Sequence, residues 1–222
     1  VVRIRELPSP AVVAGAYLVG SIPFSGILAR RLRGVDLRET GTGTVSGTGL
    51  YRVAGVGPLI VGGVLDLAKG CVGPLLAGPR RPALRALAGA AAVVGHDWSI
   101  FLGGAGGRGV STAMGAMLLD APEGSALLLA GVAAGRAARA TSVGTFAAMV
   151  TLLPVLSRTR GRRGALIAGA LVTPMLLKRV LGNRPPRPPD RLRTSLIRLV
   201  FDQDAPPWSS SAAPAAGASP RA

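Results

Sequence analysis

The chain has 222 residues, 49% apolar and only 16% charged, with 26 Lys and Arg against 10 Asp and Glu and a net charge of +16. Soluble domains carry about 25% charged residues, so this balance excludes an ordinary water-soluble enzyme. The lone cysteine, Cys71, excludes a disulfide scaffold, and the hydrophobicity excludes wholesale disorder. What remains is an all-α, polytopic integral membrane protein. Its basic residues are 24 arginines and two lysines, which together with the Ala, Gly and Pro excess reads as a coding bias.

In chain order, residues 9–29 carry no charge over 21 positions, enough to cross a hydrocarbon core at ~1.5 Å per residue. That run exceeds the ~7–15-residue core of a signal peptide and ends at no A-x-A site, so it reads as a retained span. A basic stretch from Arg30 to Arg38 leads into residues 40–49, a glycine-rich loop loaded with hydroxyls. Residues 53–65 are apolar and continue past Asp66 and Lys69 to Gly78. Asp66 and Lys69 stand at i and i+3, on one helix face, where they can pair. Burying either alone costs at least ~2.5 kcal/mol. They are therefore either a structural ion pair or a cation aimed at an anionic substrate and braced by its acid.

Residues 86–96 form the next apolar run, closed by His96 and Asp97. His96 is the only histidine, and no second His or Cys stands at ligand spacing, so no metal and no cofactor is expected. Residues 103–112 make a second glycine-rich loop with one embedded cation, Arg108. Unhindered backbone N–H groups in such a loop can cradle phosphate oxygens while the cation neutralises them. Gly104, Gly106 and Gly109 match G-x-G-x-x-G, but no βαβ setting surrounds them and a dinucleotide fold is rejected.

Further apolar segments at 109–119, 124–135, 141–157 and 164–177 bring the candidate helices to seven, or to six if 110–135 is a single span broken at Ala121-Pro122-Glu123. With seven spans, both glycine-rich loops fall on the inner, cytoplasmic face with Arg30, Arg108, Arg136, Arg139 and the basic C-terminal segment. The outer side then holds Arg80, Arg81 and Arg85 and the cluster Arg158, Arg160, Arg162 and Arg163, and that cluster breaks the positive-inside pattern. Composition changes sharply after Asn183. Residues 1–183 read as the membrane-embedded domain and 184–222 as a basic, Pro-rich, largely disordered cytoplasmic tail, with a short amphipathic stretch at 192–201. Aromatic residues are only 4%, too few to stack bases, so no nucleic-acid partner is expected. Nothing in the sequence sets an oligomeric state.

Several motifs, taken in order, resemble the integral-membrane acyl-phosphate:glycerol-3-phosphate acyltransferases, the PlsY family. They are Gly20-Ser21-Ile22-Pro23-Phe24, Gly34-Val35-Asp36-Leu37-Arg38, Gly41-Thr42-Gly43, Arg52, Leu65-Asp66-Leu67-Ala68-Lys69-Gly70, Gly95-His96-Asp97 and Gly106-Gly107-Arg108-Gly109-Val110. The resemblance covers roughly residues 16–115. It implies a seven-helix enzyme of the bacterial cell membrane that moves an acyl group from acyl phosphate to the sn-1 hydroxyl of glycerol 3-phosphate. The products would be lysophosphatidic acid and phosphate, in phospholipid biosynthesis.

By position, the resemblance gives Arg52, Lys69 and Arg108 the substrate phosphates, with Gly106, Gly107 and Gly109 as the phosphate loop. Thr42 and His96 would orient hydroxyl or phosphate oxygens, Asp66 would brace Lys69, and Ser21 would support the site. The chain departs from the family pattern at Thr42, where a serine stands, at Thr44 and Gly49 in place of asparagines, and at Arg108 in place of lysine. Thr173 and Leu176 stand where the family has His and Asn. The competing reading is a catalytically impaired paralogue of the same fold that binds lipid or a partner; a small membrane transporter component is a third.

Overall fold

The computed structural model describes residues 7–184 and 190–204, all of them in helices, turns or loops. The first charge-free run forms α1 (Ser9–Gly20) and α2 (Phe24–Arg33). They are separated at Pro23, which has no N–H to offer a continuing helix. The remaining helices are α3 (Gly47–Ala54), α4 (Val56–Ala77), α5 (Pro82–Asp97), α6 (Val110–Met117), α7 (Pro122–Ala137), α8 (Thr141–Leu181) and α9 (Arg191–Phe201). Three stretches are long and apolar enough to cross a membrane: Ser9–Arg33, Val56–Ala77 and Thr141–Leu181. Residues 110–135 are divided between α6 and α7, with Pro122 the first residue of α7.

As a straight rod, the 41 residues of α8 would extend ~60 Å. Instead the Arg179 guanidinium donates to the Ser142 carbonyl at 3.3 Å, so the two ends of α8 lie side by side. The reversal is at Gly161, whose φ of 58° and ψ of −142° are non-helical and open to glycine at little cost. The basic cluster beside this bend is partly neutralised. Arg160 pairs with Glu123 at 2.5 Å, and Asp120 pairs with both Arg163 at 2.6 Å and Arg85 at 2.5 Å.

One apolar core joins α5, α6, α7 and both arms of α8 through Val93, Met117, Leu128, Met149, Leu152, Leu156 and Leu171. A second, of Val12, Ala16, Ala88 and Ala92, seats α1 on α5. Those small residues let the two backbones approach closely. A Cβ at Gly95 would fall on the Tyr17 carbonyl oxygen and 2.9 Å from Ser21 Oγ. Gly95→Ala is accordingly expected to destabilise the protein by about 2–3 kcal/mol, lowering its thermal midpoint in detergent by about 5–10 °C. An unchanged midpoint would show that the α1–α5 crossing is looser than described.

The segment 184–222 is not a featureless tail throughout. The stretch at 192–201 lies within α9, and α9 packs on α8, with Arg179 donating to the Leu199 carbonyl at 3.0 Å and Arg198 to the Leu181 carbonyl at 2.9 Å. Residues 185–189 and 205–222, which complete the expected tail, lie outside the described residues.

Candidate active site

The break between α1 and α2 does more than turn the chain. It frees the Ile22 carbonyl, which accepts a hydrogen bond from Lys69 Nζ at 2.7 Å. One turn earlier on α4, Asp66 Oδ1 lies 2.9 Å from the same ammonium. The i, i+3 pairing read from the sequence is present, and both residues are buried, Lys69 3% and Asp66 4% exposed. Ser25 Oγ donates to Asp66 Oδ2 at 3.3 Å, and His96 Nδ1 lies 3.7 Å from Asp66 Oδ1. Asp66 therefore faces a lysine, a histidine and a hydroxyl at once. The Phe24 ring stands 5.7 Å from Lys69 Nζ, close enough for a cation–π contact.

The second glycine-rich loop is laid over the C-terminus of α5. Gly104 N–H donates to the Ser99 carbonyl at 2.8 Å, Ser99 N–H to Ala105 at 3.1 Å, and Gly107 N–H to His96 at 3.0 Å. Gly107 sits directly against the imidazole, where a Cβ would run into His96 Nε2. The first loop meets the second through Val45 N–H, which donates to the Gly106 carbonyl at 3.0 Å. Both loops are thus at the same end of the molecule, in contact.

Ser21, Asp66, Lys69, His96, Gly106 and Gly107 line one polar pocket, together with Ser25. Its free volume is about 10 Å³, room for about one water. Pro23, Val45 and Leu102 are shared with a neighbouring groove of about 500 Å³, walled by Ile22, Ile27 and Phe101 and bordered by Arg30, Arg31 and Asp36. Arg38, hydrogen-bonded to Asp36, holds that carboxyl well below the usual carboxylate range, so the rim keeps its mixed charge at neutral pH.

The other expected residues lie elsewhere. Thr42 is on the first loop, its Oγ1 2.9 Å from Thr44 Oγ1, and Arg52 is an exposed residue of α3 whose guanidinium lies beside Gly41. They make an outer shelf and do not line the polar pocket. Arg108 departs furthest from expectation. It is buried behind the loop, donating to the Lys178 carbonyl at 3.0 Å and paired through Nε with Asp202 at 2.6 Å. Burial pushes the Asp202 carboxyl up, against the pull of Arg108.

The glycine loop also differs from a free phosphate cradle. Gly106 N–H is taken by Asn183 Oδ1 at 3.1 Å and Gly107 N–H by His96, while Gly109 is the left-handed cap of α6 at φ 71°. Asn183 and Asp202 were missed by sequence reasoning. Asn183 is the only asparagine in the chain and directly follows Gly182, a helix-stop signal that marks its place but not its partners.

The profile of the glycerol-3-phosphate acyltransferase family matches residues 10–183. A Synechococcus glycerol-3-phosphate acyltransferase is 35% identical over 192 residues, covering 82% of this chain and 96% of that protein. The Shouchella clausii enzyme of the same name is 42% identical over 130 residues, 56% of this chain. The aligned part of this chain spans 62% of the Shouchella protein and 58% of the 40% identical Chlorobaculum parvum relative, less than two thirds of either. Among solved structures, the glycerol 3-phosphate form of PlsY, an integral membrane glycerol 3-phosphate acyltransferase, superposes with a TM-score of 0.70 at 27% identity, covering 77% of this chain and 87% of that one. Its lysophosphatidic acid form gives 0.68 at 26%. With a buried Asp–Lys–His cluster under two touching glycine loops, and a family profile running through all of them, the chain belongs to the glycerol-3-phosphate acyltransferase family.

Proposed function

We propose that this protein transfers an acyl group from an acyl phosphate to the sn-1 hydroxyl of glycerol 3-phosphate, in the bacterial cell membrane, with its glycine loops facing the cytoplasm. The observation that carries the reading is the junction of a buried polar pocket, which holds the Lys69 ammonium, with an apolar groove. An acyl phosphate has those two halves, a dianionic head and a hydrocarbon chain. The groove walled by Ile22, Ile27 and Phe101 takes the chain, and its shared edge at Pro23, Val45 and Leu102 delivers the acyl carbon to the polar pocket. The reading takes seven spans, counting the two arms of α8 separately, a parity that would set both glycine loops on that one side.

The chemistry asks for alignment more than for a nucleophile on the enzyme. The acceptor hydroxyl oxygen forms a bond to the acyl carbon as the acyl carbon–phosphate oxygen bond breaks, and the departing phosphate carries away one net proton. Holding two anions in contact is the main barrier, and fixed positive charge is what lowers it. Lys69 and Arg52 supply that charge at the pocket and on the shelf. His96, set by Asp66, and Thr42 orient oxygens, and Ser21 supports the pocket wall. Gly106 and Gly107 contribute close approach, while Arg108 contributes its charge from behind the loop and Gly109 fixes the start of α6.

Product analysis tests donor and acceptor together. Purified protein in detergent, given palmitoyl phosphate and glycerol 3-phosphate, is expected to form 1-palmitoyl lysophosphatidic acid by mass spectrometry, and to form none from palmitoyl-coenzyme A. Product from the thioester alone would overturn the acyl phosphate assignment. An absence of product from folded protein with either donor would favour the impaired paralogue.

A further inference from the structure

The residue that physically joins the two glycine loops belongs to neither of them. Asn183 follows Gly182, whose φ of 67° ends α8 and turns the chain back toward the loops. Its side-chain amide makes three hydrogen bonds there. Nδ2 donates to the Gly43 carbonyl at 3.0 Å and to the Gly106 carbonyl at 2.9 Å, and Oδ1 accepts from Gly106 N–H at 3.1 Å. The orientation is fixed by chemistry, because a flipped amide would set its oxygen against two carbonyls and its nitrogen against an N–H. Arg184 extends the connection, donating to the Arg38 carbonyl at 2.9 Å.

We infer that Asn183 is a positioning residue for acyl transfer, a clamp that sets the first loop, with Thr42 and the neighbouring Arg52, against the second, with Gly106, Gly107 and His96. This rests on the proposed acyltransferase reading. Apart from Asn183, the direct backbone link between the loops is the Val45-to-Gly106 hydrogen bond. A single bond lets the loops pivot about it. The amide adds one bond to the first loop and two to the second, and removes that freedom. An error of about 1 Å in the approach of two reactants costs about a hundredfold in rate, so the clamp acts on alignment while each loop keeps its own binding groups.

The discriminating readout is how acyl phosphate divides between glycerol 3-phosphate and water. Once the spontaneous hydrolysis of acyl phosphate is subtracted, that ratio does not depend on how much of a preparation is folded. In Asn183→Ala, transfer per phosphate released is expected to fall about tenfold, and kcat about ten- to a hundredfold, with smaller changes in KM for either substrate. Asn183→Gln, which keeps donor and acceptor, is expected to recover part of the ratio. Asn183→Asp, which turns an anion toward the Gly43 and Gly106 carbonyls, is expected to do no better than alanine. Hydrogen–deuterium exchange on wild type and Asn183→Ala without substrates gives a second reading, with faster exchange expected at residues 43–45 and 104–107 and little change along α4 and α5.

An unchanged partition ratio in Asn183→Ala, or full activity in Asn183→Asp, would overturn the proposal. If the wild type itself makes no product, the acyltransferase reading fails by that result. The exchange data then still decide whether the clamp exists, and unchanged loop protection would refute it.

Discussion

Arg52→Ala is expected to lower kcat/KM for glycerol 3-phosphate by about a hundredfold or more, with no change in thermal midpoint. Arg52 is exposed on α3 and makes no hydrogen bond or ion pair with another described residue, so its removal leaves nothing buried and unpaired. Its guanidinium lies beside Gly41 of the first loop. Losing a preorganised charged contact to a reacting anion costs about 3 kcal/mol, about a hundredfold in rate. Arg52→Lys keeps the charge but not the planar fork and is expected to fall in between. Steady-state kinetics on the three proteins checks this, and wild-type kinetics from the alanine variant would take Arg52 out of the site.

Lys69 requires a different design, because its ammonium is buried against Asp66 and the Ile22 carbonyl. Lys69→Ala strands the Asp66 carboxylate, and breaking a buried pair from one side costs about 3–5 kcal/mol. Lost activity in that variant would therefore mix chemistry with misfolding. The double variant Asp66→Asn with Lys69→Met removes both charges, and such neutral replacements are often tolerated or even stabilising. It is expected to regain most of the thermal stability while staying at least about a thousandfold below wild type in turnover. Recovery of activity together with stability would make the pair a structural brace and nothing more. Arg108 poses the same difficulty, since Arg108→Ala would strand Asp202.

The features legible in the sequence were local or periodic. The i, i+3 spacing of Asp66 and Lys69 placed them on one face, Pro122 marked the start of α7, and the amphipathic pattern after Arg191 marked α9. The parity of the apolar runs put both glycine loops at one end, where Val45 and Gly106 meet. The features that stayed hidden depend on residues far apart along the chain. Asn183 is 140 residues from Gly43 and 77 from Gly106, a separation for which helical period carries no signal. For the same reason the boundary drawn at 183/184 cut between two residues that both reach the loops. The glycine loop looked free to bind phosphate because composition shows unhindered N–H groups but not their partners, which are Asn183 and the His96 carbonyl. The basic cluster at 158–163 looked anomalous because its partners, Asp120 and Glu123, come from the turn into α7.

The most direct test of the account is phosphate release by purified, folded protein given palmitoyl phosphate, with and without glycerol 3-phosphate. Release is expected to depend on the acceptor, to match lysophosphatidic acid formed mole for mole, and to collapse in Arg52→Ala. Release that is absent, or indifferent to glycerol 3-phosphate, would contradict it and leave a family member that keeps the fold without the reaction.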